Sequence, residues 1–403
     1  MPRTERGRLS ALALTAAFLL VAASATAQAR KPVVLLYDPD TEELREKHSD
    51  TDADGRHDEF VYYEAGKPAR AEQDTNADGT IDVWVFFGTD GKPARQERDS
   101  NFDGKPDQWL EYQGGEPHVQ RDDSNFDGTA DSTLTFSDGS PARREQDTDF
   151  DGKLDSFVTY AGGEPSIVEE DENGDGNIDV RAEVAPDGSK IREQQDLNSD
   201  GSFDVTIQYE GGRRARTDED TDLDGKVDQI TEYAGDQISS RRKDTTGDGQ
   251  FDTESSYEAG RESRQVRDAD RDGRPEVVVT FDAAGERARE EFDTGGDGNF
   301  NLIRTYTDGR KTGEEEDTTG DGKRDLATTF EGDEKVRSEA DTNADGDVDT
   351  TVEYSGGVRS AQIEDRNFDG KPDARYRYAA DGKALARAER DKDYDGRFEQ
   401  ITT

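Results

Sequence analysis

The chain has no cysteine and one methionine in 403 residues, and only 29% of its residues are hydrophobic. Without cysteine no disulfide can staple the fold, and no lipobox thiol can carry a lipid. Basic side chains are outnumbered, 52 Lys and Arg against 97 Asp and Glu, which leaves a formal net charge of -45. That balance repels phosphate and excludes nucleic acid as a partner. The three histidines, His48, His57 and His118, share no motif. No nucleophile elbow, phosphate loop or zinc spacing occurs either, so no enzyme is expected. By composition the chain borders on disorder, because it has little apolar surface to offset the entropy of folding. Something else must hold it together.

A long apolar run occurs once. Arg3, Arg6 and Arg8 precede "LSALALTAAFLLVAASA", and Ala27-Gln28-Ala29 offers an A-x-A cleavage site, with Ala25-Thr26-Ala27 as the alternative. This reads as a secretory signal peptide over 1–29. It is short for a membrane span of about 20 residues. The C-terminal "DYDGRFEQITT" carries no apolar tail. The mature chain is expected to be secreted, in the periplasm or at the cell surface, with no transmembrane segment.

What the chain has in abundance is repetition. The stretch "DTNADGTID", Asp74 to Asp82, recurs fifteen times over residues 50–403 with spacings of 24 or 25 residues and one of 26. Position one is always Asp, five always Asp and six always Gly; position three is Asp or Asn except at Thr246, Gly295 and Thr319. The candidate metal ligands begin with Asp50, Asp52, Asp54 and Asp58, then Asp74, Asn76, Asp78 and Asp82, then Asp99, Asn101, Asp103 and Asp107. They continue with Asp123, Asn125, Asp127 and Asp131, then Asp147, Asp149, Asp151 and Asp155, then Asp171, Asn173, Asp175 and Asp179. Next come Asp196, Asn198, Asp200 and Asp204, then Asp220, Asp222, Asp224 and Asp228, then Asp244, Asp248 and Asp252, then Asp268, Asp270, Asp272 and Glu276. The last are Asp317, Asp321 and Asp325, then Asp341, Asn343, Asp345 and Asp349, then Asp365, Asn367, Asp369 and Asp373, and finally Asp391, Asp393, Asp395 and Glu399.

Oxygens at one, three, five and nine, with a carbonyl at seven and a glycine for the sharp turn, suit calcium, which takes six to eight hard oxygen ligands. Up to fifteen ions would act as ligand and structural cement together. The loop from Asp293 lacks an oxygen at position three and is expected to be weak or empty. Position twelve, where an EF-hand needs a bidentate Glu, holds Val61, Val85, Leu110, Val158 or Ile207, so flanking helices are not expected. The acids just before the loops, Glu72, Glu97, Glu145, Glu291 and Glu389, are candidates for an extra ligand.

Five residues after position nine stands an aromatic in nearly every unit, as in Tyr63, Phe87, Tyr112 and Phe136, with Val184 the departure. An aliphatic two residues earlier gives the period of two that marks a strand with one apolar face. Turns such as "EAGK", "QGGE" and "TDGR" follow, which signal tight primed hairpins needing positive φ. Each unit is therefore strand, turn, strand, acidic loop. Units with a longer turn begin at Asp74, Asp171, Asp268 and Asp365, so every fourth hairpin differs. Accumulated sheet twist and duplication of a four-hairpin block both account for that. Trp84 and Trp109, with Phe60, Tyr62 and Phe86, give the first hairpins a second apolar face. That face is expected to pack with Val33 to Tyr37 as an N-terminal cap over 30–49, a carbohydrate-stacking patch being the alternative.

The D-x-[DN]-x-D-G-x-x-D loop between strands resembles the calcium hairpins of integrin-type propellers, and its core is similar to thrombospondin type 3 repeats without their cysteines. The integrin-type resemblance implies that position nine takes the bidentate role. The hairpins "YTDGRK", "FDAAGER" and "YEAGR" resemble the YD repeats of Rhs-type bacterial surface proteins. The expected fold is an all-β repeat of about fifteen hairpins in a long twisted antiparallel meander, with loops along one edge and aromatics in a row on one face. The expected role is a secreted calcium-binding structural, matrix or adhesion protein whose partners are calcium and envelope proteins or surface glycans. A carbohydrate- or protein-binding module and an Rhs-like shell or spacer for a separate effector are the alternatives.

Overall fold

The computed structural model describes residues 33–402, so the signal-peptide reading lies outside the described residues. The described residues contain strands, turns and loops and no helix. They divide into two compact units, one ending at Glu116 and one beginning at Pro117. Within each unit strands pair antiparallel with their neighbours in sequence. This is the expected open meander of hairpins.

The tight turns are of the primed kind. Ala65 and Gly66 have φ of 47° and 72°, and Asp308 and Gly309 have 51° and 72°. Two successive positive φ values match the right-handed twist of the flanking strands. The longer units instead close with a wider turn, in which Gly88 N–H donates to Lys92 O and Gly91 N–H to Gly88 O. Their first strands are shortened to five residues, as in Val83–Phe87 and Val180–Val184.

A bulge the sequence reading did not anticipate recurs at the turn end of the hairpins, beside the aromatic or, in one, beside Val184. Tyr62 pairs with Arg70 but Tyr63 with Pro68, so Ala69 is skipped. The same slip occurs at Tyr160 opposite Pro165 and at Phe136 opposite Pro141. Proline cannot donate to the ladder and is tolerated in sheets at bulges. The "KPAR" and "SPAR" segments carried that signal.

The register aligns position twelve of each unit into one column, running Val61, Ala71, Val85, Gln96, Leu110 in the first unit. In the second it includes Ile207, Thr217, Thr231, Arg241 and Ser255. Several column members are buried although strands pack chiefly on their sequence neighbours: Val85 is 2% exposed, Ile207 4% and Thr231 2%, while Val61, Ala71, Gln96 and Arg241 are half-buried. Polar members are satisfied sideways. In the longer units Gln96, Glu193 and Glu290 stand in the column and accept the hydroxyls of Tyr112, Tyr209 and Tyr306 at 3.3, 3.1 and 2.6 Å. Burial, with the Glu290 hydrogen bond second, pushes Tyr306 up to about 12.

The expected cap is only partly formed. Val33–Tyr37 is a strand paired to Leu44–Ser49, but all five side chains are exposed, by 39 to 56%. The tryptophan-bearing face is roofed from within its own hairpins. Arg70 lies over the Tyr62 ring at 5.0 Å and Arg95 over Phe86 at 4.5 Å. Arginine stacked on an aromatic face covers apolar surface while keeping its charge hydrated.

Candidate metal loops

Each acidic loop is first a network of backbone bonds to its own carboxylates. In the loop Asp74 to Asp82, Gly79 N–H donates to Asp74 Oδ2 at 2.8 Å, Asp78 N–H to Asn76 Oδ1 at 2.8 Å and Thr80 N–H to Asp78 Oδ1 at 2.7 Å. Asp82 Oδ2 accepts the amide and the hydroxyl of Thr75 at 2.7 and 2.8 Å. The position-six glycine bond recurs in other loops, as Gly104 to Asp99 and Gly396 to Asp391, both 2.7 Å. Its geometry needs the φ of +93° at Gly79, where a side chain would be strained.

Loops are also tied to each other. The position-one amide donates to the position-nine carbonyl of the loop before, as Asp74 to Asp58 at 2.9 Å and Asp196 to Asp179 at 2.8 Å. Within each unit the loops therefore line one edge. Part of the expected repulsion along that edge is met by position seven. Lys153 Nζ donates to Gly174 O of the next loop at 2.6 Å, and Arg274 to Asp297 O at 3.2 Å. Basic residues stitch the turn edge in the same way, Lys67 to Thr89 O at 2.8 Å and Lys92 to Gly114 O at 2.9 Å.

Against this background some oxygens are left over. Asp74 Oδ1 and Asp82 Oδ1, in the same loop, are buried and accept no hydrogen bond, and so are Asp107, Asp268, Asp341 and Asp391 Oδ1. Asp82 is 1% exposed, Asp107 3% and Asp391 5%. An unpaired buried carboxylate oxygen is costly unless a cation meets it. In five loops three or more carboxylates bring oxygens within 4.8 Å of one another: Asp50, Asp52 and Asp58; Asp147, Asp149 and Asp155; Asp220, Asp222 and Asp228; Asp268, Asp270 and Glu276; and Asp391, Asp393, Asp395 and Glu399. Two oxygens each about 2.4 Å from one calcium ion can be no further apart than that. These are the five loops with aspartate at position three. Crowding shows in their acidity: burial and Asp224 raise Asp222, and a shared hydrogen bond with Asp393 raises Glu399. Position five joins the cluster only at Asp395, and there as in other loops it also caps the amide of position seven, Arg397 N–H donating to Asp395 Oδ1 at 2.9 Å.

With asparagine at position three the amide turns inward instead. Asn76 Nδ2 donates to Asp78 at 2.9 Å and Asn343 Nδ2 to Asp345 at 2.8 Å. The three loops lacking an acid or amide there are self-satisfied. Asp244 Oδ1 accepts from Thr246 and Gly247 at 3.0 and 2.8 Å, Oδ2 from Gly249 at 2.6 Å, and Asp248 is paired with Arg271. Burial pulls the Asp244 carboxyl up, but the backbone donors of Gly249, Gly247 and Thr246 outweigh it and hold it down to about 2. Asp293 and Asp317 are lowered in the same way. A group with a depressed folded pKa stabilises above its unfolded value, about 3.9, and the gain is lost as pH falls through the folded value. Titration from pH 5 to 2 is therefore expected to release the Gly247 and Gly249 amides to hydrogen exchange. Protection unchanged at pH 2 would contradict it.

The five candidate extra ligands stand elsewhere. Glu97 meets Arg95 at 2.9 Å, Glu145 meets Arg143 at 2.9 Å and Glu291 meets Arg289 at 3.0 Å, while Glu72 and Glu389 are paired with Arg70 and Arg387. Position four was missed altogether. It is left-handed in all fifteen loops, including Phe102, Phe126 and Phe150 at 61°, 63° and 64°. The glycines at 174, 247, 296 and 320 were the signal. A bulky residue there is strained by about 1 kcal/mol. Phe150, 48% exposed, should therefore gain about that much stability as Phe150→Gly, read as a raised thermal midpoint.

Neither a family model nor a curated protein matches the chain. Among solved structures it is similar to a Photorhabdus luminescens Tc holotoxin pore, at 13% identity and TM-score 0.17, over 89% of this chain and 26% of that one. It is similar to TcdB2-TccC3-Cdc42 at 12% identity and TM-score 0.16, over 89% of this chain and 26% of that one. A porin-like protein from Bacteroides uniformis matches at 12% identity and TM-score 0.13, over 60% of this chain and 92% of that one. The chain spans about a quarter of the length of the toxin chains it matches. At these TM-scores the likeness carries no argument about what the chain does. No helix among the described residues is long and apolar enough to cross a membrane.

Proposed function

We propose that this is a secreted calcium-binding repeat protein in which cations along the loop edge hold a hairpin array together as an extracellular structural or adhesive scaffold. The observation that carries the reading is the pair of buried, unpartnered oxygens Asp74 Oδ1 and Asp82 Oδ1 within one loop. Convergent carboxylates in five other loops support it. Equilibrium dialysis with calcium tests it, and several ions per chain are expected. Asp82→Asn keeps an acceptor for Thr75 while removing the charge, so it should lower the stoichiometry by about one and leave the fold intact. Unchanged stoichiometry, or no binding by the parent chain at millimolar calcium, would overturn the reading. A second reading, a wall or spacer for a separate effector, draws on the resemblance of the hairpins to YD repeats. Size-exclusion chromatography with candidate effectors tests it.

A further inference from the structure

One place on the buried column is hollow. Where most first strands carry Val, Leu or Ile at position twelve, the strand Thr253–Glu258 carries Ser255, with Thr253 two residues before it. Both are buried, at 5% and 8% exposure, and both are short. Their cross-strand neighbours are long. The register sets Thr253 between Lys243 and Arg267, and Ser255 between Arg241 and Gln265. Tyr257 pairs with Glu262 and closes the end of the hollow. The resulting cavity of about 460 Å³ has a floor of hydroxyls and three cationic walls, with Glu262 its one carboxylate. Most other units place Gln, Glu or an apolar residue where Lys243 and Arg267 stand.

The polar groups here are only partly used. Lys243 and Arg267 have no ion pair among the described residues, and Arg241 reaches Thr231 Oγ1 at 3.3 Å and lies over the Tyr257 ring at 5.7 Å. Ser255 Oγ meets Gln265 Nε2 at 3.5 Å, and Thr253 Oγ1 donates to Asp252 at 2.7 Å. Against the upward pull of burial, the hydrogen bonds of Thr253 and Thr245 lower the Asp252 carboxyl, with the Arg267 charge a lesser cause. In a chain of formal charge -45, three cations around one hollow are an exception.

We propose that this cavity binds an anionic saccharide, a sugar unit bearing a carboxylate. Arginine and lysine would take the carboxylate, arginine as a planar fork. Glu262, Gln265 and the hydroxyl floor would meet sugar hydroxyls, with Tyr257, its ring under Arg241, closing the end of the site. The volume lies in the range of small-ligand sites. The inference is independent of how many loops hold calcium.

The test is saturation-transfer NMR on the folded full chain in millimolar calcium, with methyl glucuronide, methyl glucoside and acetate as separate probes. Methyl glucuronide should show transfer, with a dissociation constant at least tenfold lower than either other probe. Arg267→Gln and Lys243→Gln should each weaken it several-fold while circular dichroism stays that of the parent. Equal transfer to methyl glucoside, or equal affinity for acetate, would overturn saccharide-anion recognition. No transfer to methyl glucuronide, or transfer unchanged in both variants, would overturn the site. The exposed Lys105→Gln serves as the charge-matched control and should leave binding unchanged.

Discussion

Chelating divalent cations at low ionic strength is expected to abolish most of the β-signal of this chain, and restoring millimolar calcium to bring it back. The magnitude follows from mass action. At about ten times the dissociation constant, one bound ion stabilises the folded state by about 1.4 kcal/mol. Extracellular loops bind at 10⁻⁴ to 10⁻³ M, so millimolar calcium sits near that ratio for the tighter sites. Summed over five loops the gain is about 7 kcal/mol, comparable with the whole stability of an ordinary domain. The column supplies little reserve, since it includes Thr217, Thr231, Ser255, Thr328 and Ser338 at places where a sheet normally buries aliphatic residues. The loops supply the rest of the cost: without a cation, Asp82 and Asp391 keep a buried oxygen unpaired. Far-ultraviolet circular dichroism during a calcium titration reads the result. A spectrum indifferent to chelator would show that the backbone bonds within and between loops suffice, and the cation reading would fail.

The hairpins were legible because each level of the sequence agrees. Alternation with period two, primed turns at Asp308-Gly309 and Ala65-Gly66, and longer turns every fourth unit all specify the same strand order. The bulge at Tyr63 was written in the same letters, as Pro68 in the return strand, but reading it requires asking where that missing amide falls. The convergence of carboxylates at positions one, three and nine in five loops was legible because spacing alone brings them together. What spacing cannot show is which oxygens the backbone already uses. At position five, Asp54 and Asp151 already give one oxygen to the amide two residues ahead and keep the other. The same blindness applies to Glu72 and Glu97: an acid beside an acidic loop looks like a ligand until its neighbour two residues back, on the same face of the strand, proves to be arginine. The lysines at position seven read as ordinary solubilising charges. The reach of Lys153 to a carbonyl of the next loop depends on the strand spacing, which no local pattern states.

Replacing Ile303 by alanine should be the most damaging single change outside the loops, and its damage should stay local. Ile303 is 1% exposed, the least of the large apolar side chains, and sits on the face opposite the column between Glu291 and Glu315. Truncating a buried isoleucine costs about 2–5 kcal/mol. In a compact globular core that loss would be spread over the whole molecule. Here each strand packs chiefly on its sequence neighbours, and a one-dimensional array is stabilised by nearest-neighbour terms, so it opens where its local interface is weakened. Amide exchange in Arg287–Phe292, Leu302–Thr307 and Arg310–Glu316 should therefore rise about thirtyfold to several thousandfold, while Val205–Glu210 keeps its protection. Ile191, 48% exposed, is the control, and Ile191→Ala should change neither region. Uniform loss of protection from Val205 to Tyr378 in Ile303→Ala would mean that the second unit unfolds as one cooperative body.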